Sequence, residues 1–222
     1  MKILKNSLLI LIILSFGLLS CEEVYLPKPK GYNRIDLPEP AYQMLPDTFP
    51  YSFSYSTHAS LEQDDSKNAE RFWINLKYDE FDAIVQLTYK NLVDPNNKPE
   101  VLLNEAFELT MKHNVKAYGI EESLIQIPNG QVASVTELEG EVPTQFQFFT
   151  SDSSRHFFRG ALYFNTATKN DSLAPVIEYI KSDIIHLLNS FEWKYWSVLL
   201  PSLTPLERKG FDLYCEIRRN YW

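Results

Sequence analysis

The densest grouping of side chains able to do chemistry is Asp152-Ser153-Ser154-Arg155-His156, followed by Arg159. It holds a nucleophile type, a base and a carboxylate, the three roles of a hydrolytic triad. A triad works through a nucleophile–base–orienter line that normally draws on separated segments. Residues packed into one turn do not face one another in that way, and no G-x-S-x-G elbow surrounds the serines. The spacing instead predicts a turn in which Asp152 and Ser153 cap backbone donors. Two roles stay open for Asp152, His156 and Arg159: a surface that meets a partner, or a local network that fixes the turn.

Other candidates are weaker. His58, His113, His156 and His186 share no metal-ligand spacing, and neither H-E-x-x-H nor C-x-x-C occurs. Glu137, Glu139 and Glu141 alternate along a strand end, where a solvated acidic edge explains them better than a glycosidase pair does. The reading is therefore a chain with no catalytic residues, no metal site, no cofactor and no nucleotide-binding glycine pattern.

The first twenty residues read as an address. Lys2 and Lys5 precede an apolar run over 8–19, too short to span a bilayer, which takes about 20 apolar residues. It suits a signal-peptide core, and Leu18-Leu19-Ser20-Cys21 resembles the bacterial lipobox. Cys21 would then become the acylated N-terminus, and several acyl chains anchor stably where one does not. Loss of 1–20 takes away two lysines and no acid, moving the net charge from −8 to −10. Such an acidic surface disfavours nucleic acid and anionic headgroups as partners. With Cys21 acylated, Cys215 has no partner for a disulfide within the chain.

The remaining chain reads as elements that position the turn. In 21–49 the prolines Pro27, Pro29, Pro38, Pro40 and Pro46 keep helix out, while Tyr25, Tyr32, Ile35, Leu37 and Tyr42 are too apolar for a free linker. An extended arm lying on the domain is expected. Period-2 alternation predicts strands over 51–57, 72–78 and 83–89, with a polar loop over 62–70. Helical spacing predicts a helix from Pro99 to about Tyr118, and four strands over 123–127, 131–138, 145–150 and 157–164 follow. A second helix, capped by Asp171-Ser172, carries Leu173, Val176, Ile177, Ile180, Ile184, Leu187, Leu188 and Phe191 as a core stripe. The fold class is α+β, a mainly antiparallel sheet packed with helices. The layout is similar to a Mog1/PsbP-like sandwich.

Four stretches carry a resemblance to a known family. They are Tyr25-Leu-Pro-Lys-Pro-Lys-Gly-Tyr-Asn-Arg-Ile-Asp-Leu-Pro-Glu39, Lys112-His-Asn-Val-Lys-Ala117, Thr150-Ser-Asp-Ser-Ser-Arg-His-Phe-Phe-Arg-Gly-Ala-Leu-Tyr-Phe164 and Asn170-Asp-Ser-Leu-Ala-Pro-Val176, with a related ending near Trp193. Together they resemble the gliding motility lipoprotein GldD family of the Bacteroidetes. The resemblance implies an envelope lipoprotein that supports gliding motility and the type IX secretion machinery, with other proteins of that machinery as partners. It implies a lipid-anchored location, most simply the outer membrane facing the periplasm, and no catalytic residues. The alternative is an anchored periplasmic enzyme or small-ligand binder with a pocket between sheet and helix. The expected division is a leader over 1–20, an anchor arm over 21–49, a domain over 50–194 and an extension over 195–222. The extension does not match the family; its Thr204-Pro-Leu-Glu207 reads as a helix start.

Overall fold

The computed structural model describes residues 35–112, 117–165 and 170–194. Cys21, His113 and the extension over 195–222 lie outside the described residues.

Seven strands form one antiparallel sheet: β4 (Ser60–Gln63), β5 (Ile74–Tyr78), β6 (Ala83–Asn91), β7 (Ala117–Gln126), β8 (Val132–Gly140), β9 (Phe146–Ser151) and β10 (His156–Phe164). Their spatial order is β4-β5-β6-β10-β9-β8-β7, so β10 returns to pair with β6 across the whole intervening segment. Helix α1 (Pro99–Met111) and helix α2 (Asn170–Asn189) complete the body. Three short strands, β1 (Tyr42–Met44), β2 (Tyr51–Ser52) and β3 (Ser54–Ser56), come from the N-terminal side, and β11 (Glu192–Trp193) pairs with β2.

Alternation along the strands sends side chains to two faces. Phe146 and Phe148 of β9 and Phe158 and Leu162 of β10 join Ile180, Ile184, Leu187 and Leu188 of α2 in the main core. Phe157 and Phe149 point the other way and meet Leu102 and Ala106 of α1 in a smaller cluster. Aromatic packing knits the main core together: the Phe158 ring lies 4.8 Å from Tyr51 and 5.0 Å from Phe191. Each such buried side chain contributes roughly 1.5–3 kcal/mol. Exposed ion pairs such as Lys77–Asp79, at 2.8 Å, contribute about 0–1 kcal/mol, so the core dominates.

Gly160 shows how closely side chains of neighbouring strands pack over β10. A Cβ there would lie 2.3 Å from the Phe148 ring and 2.9 Å from Leu87. The strand therefore passes under a buried phenyl ring only because position 160 carries no side chain.

Two expectations differ from the structure. The first helix stops at Met111, and residues 117–126 are a ten-residue strand in place of a helix end and a short strand. Tyr118 and Ile120 favour a pleated surface, and Gly119 weakens a helix by about 1 kcal/mol relative to Ala. The polar stretch expected as a loop begins inside β4, because a short edge strand with one partner tolerates polar side chains on both faces. Before position 50, Tyr42 pairs with Ser56 and Leu45 is buried in the core.

Candidate functional site

The β9–β10 hairpin turns over the sequence singled out above. Asp152 Oδ1 accepts from the backbone N–H groups of Ser154, Arg155 and His156 at 3.1, 2.8 and 2.8 Å. Ser151 Oγ donates to the His156 carbonyl at 2.7 Å and accepts from Ser153 N–H at 3.0 Å. Ser153 takes φ 60°, a left-handed conformation that closes the turn. Burial alone would raise the Asp152 carboxyl, but the three backbone donors outweigh it and hold the group below the usual carboxylate range.

His156 is fully buried beneath this turn. Its ring stacks on Trp193 with centroids 4.9 Å apart, and its Nδ1 lies 2.7 Å from the Tyr89 hydroxyl. Burial, helped by the Asp152 charge, pushes the Tyr89 hydroxyl well up, so it keeps its proton beside Nδ1. The other ring nitrogen, Nε2, faces Asp152 Oδ2 at 4.0 Å. Burial lowers the His156 pKa, and the Asp152 carboxylate only partly opposes it.

Arg159 points to the opposite face of the sheet. Its Nη2 donates to Gln147 Oε1 at 2.7 Å, and Thr110 of α1 reaches the same oxygen at 3.4 Å. The structure therefore brings Asp152 and His156 together inside the fold and places Arg159 elsewhere, half-buried beside α1. Ser153 and Ser154 are exposed while His156 is enclosed, an arrangement unlike a triad. Glu137 is held by Lys181 of α2, and Gly140, at φ 129°, ends β8 before Glu141. Among the described residues no group of three or more His, Cys, Asp or Glu could hold a metal ion.

A second buried cluster escaped the sequence reading. Asp183 of α2 is 3% exposed and accepts from the Tyr78 hydroxyl at 3.0 Å. Burial raises its pKa, while bonding from Tyr78, Ser56 and Tyr42 and the nearby His58 counter the shift. Tyr42 also stacks on His186, with centroids 3.5 Å apart. His186 Nε2 lies 3.2 Å from Ser54 Oγ, and His58 Nε2 lies 3.0 Å from the Glu39 carbonyl. The Tyr42 stack fastens the arm to α2, and the His58 bond fastens it to the turn after β3. One signal was available: position 183 falls on the core stripe between Ile180 and Leu187, where an acid needs a buried partner.

The gliding motility lipoprotein GldD family matches residues 22–193, which takes in both clusters and every described strand. The chain belongs to the GldD family. GldD proteins are gliding motility lipoproteins, so this member is a lipid-anchored protein of the cell envelope with a motility role. The match starts directly after Cys21 and ends at Trp193, leaving the extension outside it. Among solved structures the chain is similar to cyanobacterial PsbP (CyanoP) from Synechocystis sp. PCC 6803. That likeness has 14% identity and a TM-score of 0.41, covering 80% of this chain and 99% of that one. No curated protein matches the chain.

Proposed function

We propose that this GldD protein is a non-catalytic assembly component, anchored by acyl chains on Cys21 and serving both gliding motility and the type IX secretion machinery. Its place is the periplasmic face of the outer membrane, and its partners are other envelope proteins of that machinery. The observation that carries the reading is the use made of the two buried carboxylates. Asp152 is spent on three backbone amides and Asp183 is bonded to Tyr78, so both hold the fold together. The space between sheet and α2, where a ligand pocket would sit, is filled by Phe146, Phe148, Phe158, Ile180 and Leu187. That filling favours an interaction protein over an enzyme with a pocket between sheet and helix. The test is deletion of the gene, scoring colony spreading and adhesin secretion together. Loss of both is expected; wild-type behaviour in both overturns the reading.

A further inference from the structure

We infer that β7 is a docking edge that takes an extended, basic segment of a partner protein as an added strand. The inference deepens the assembly reading above and rests on it. The two edges of the seven-stranded sheet are treated differently. At β4 the edge is four residues long, and Gln63 Nε2 donates to the carbonyls of Trp73 and Arg71 at 2.7 and 3.2 Å, tying the strand to its own loop. At the other edge β7 runs for ten residues and, among the described residues, pairs only with β8. It contains no proline and no lysine, two of the devices that blunt an exposed edge; its charges are Glu121 and Glu122, and its register shift is confined to the end at Ala117–Gly119. Instead it presents Tyr118 at 77% and Leu124 at 75% exposure, with Ile120 also exposed.

Charge selects the occupant. Glu121 and Glu122 are exposed in the middle of β7, Glu139 and Glu141 are exposed nearby, and neither β7 nor β8 carries a basic residue. A second copy of the chain paired antiparallel about the centre of β7 would set Glu121 opposite Glu122, and like charges directly opposed are destabilising. A partner strand with lysine or arginine at those two positions gains what a second copy loses. Ile120, Glu122 and Leu124 lie on one face and Glu121 on the other, so the two basic residues are consecutive. Paired antiparallel, the segment expected reads apolar-any-basic-basic-apolar from its N-terminus, added by main-chain hydrogen bonds with its side chains supplying the selectivity.

The experiment uses the full chain in its own cell, with a photoreactive benzoylphenylalanine replacing Tyr118 or Leu124 and, as a control on an interior strand, Gln86. Crosslinks to another protein from positions 118 and 124 but not 86, mapped to a segment of that pattern, are expected. Glu121→Lys with Glu122→Lys should lower the yield several-fold with an unchanged melting temperature, and the milder Glu121→Gln with Glu122→Gln should lower it less. Crosslinks only between copies of the chain, a mapped segment without basic residues, an unaltered yield on charge reversal, or no crosslink each overturn the docking edge. If the edge fails while deletion still abolishes motility, the assembly reading stands without it. If deletion leaves motility intact, that reading falls whatever crosslinks form.

Discussion

Asp152 concentrates more backbone bonding than any other side chain in the hairpin. Replacing it with alanine strands three amides at once, one of them half-buried. Asp152→Ala should cost about 1–3 kcal/mol, read as a lower urea midpoint, while Asp152→Asn keeps an acceptor oxygen and should cost less. His156 makes a pH prediction whose sign follows from its lowered pKa. Above the ordinary imidazole value of about 6.5 both folded and unfolded forms are neutral. As pH falls below it the unfolded chain takes up a proton that the buried ring resists, so stability drops until the folded value is passed. Asp183 works in the other sense, because its raised pKa favours the protonated fold and its contribution weakens as pH rises through that value. Urea midpoints at pH 7.5 and 5.5 should therefore differ less in His156→Gln than in the parent, isolating the imidazole. An equal difference in both proteins would remove His156 as the cause.

At the scale of elements, neighbouring strands pack closely at Gly160, which pairs with Phe148 of β9 and Leu87 of β6. Gly160→Ala pushes a Cβ into the Phe148 ring, which is itself buried in the main core. Overpacking of this kind costs about 1–3 kcal/mol and should lower the melting temperature by several degrees. The arm offers a contrast. Tyr42 fastens β1 through its stack on His186, at the surface side of the Asp183 cluster. Tyr42→Ala should speed amide hydrogen exchange in β1 while leaving β5 and β6 protected, because local opening follows local contacts. Exchange rising equally in β5 would show that the arm is part of the global folding unit. Much of this level was readable from patterns. Period-2 runs found β5 and β6, and the wide apolar stripe found α2, because one-sided burial writes the period directly into the residues. The strand β7 was not readable as one element: it is exposed along most of its length, so no buried face imposed an alternation.

For the whole molecule, the anchor is the decisive feature. Cys21→Ser should leave the protein unacylated and move it from the membrane fraction to the soluble fraction, with the mass of the mature N-terminus as the check. Among the described residues no helix is long and apolar enough to cross a membrane. What the sequence by itself determined is local: the α+β class and a turn at Asp152 whose side chain caps its neighbours. These depend on residues adjacent in the chain, where spacing and chemistry suffice. Only the tertiary structure decided that β10 lies between β6 and β9, that His156 turns inward to Tyr89, and that Arg159 faces away to Gln147. Tyr78 and Asp183 meet across 105 residues for the same reason. Pairings at that range are chosen by the fit of whole surfaces in one close-packed core, which no local pattern records.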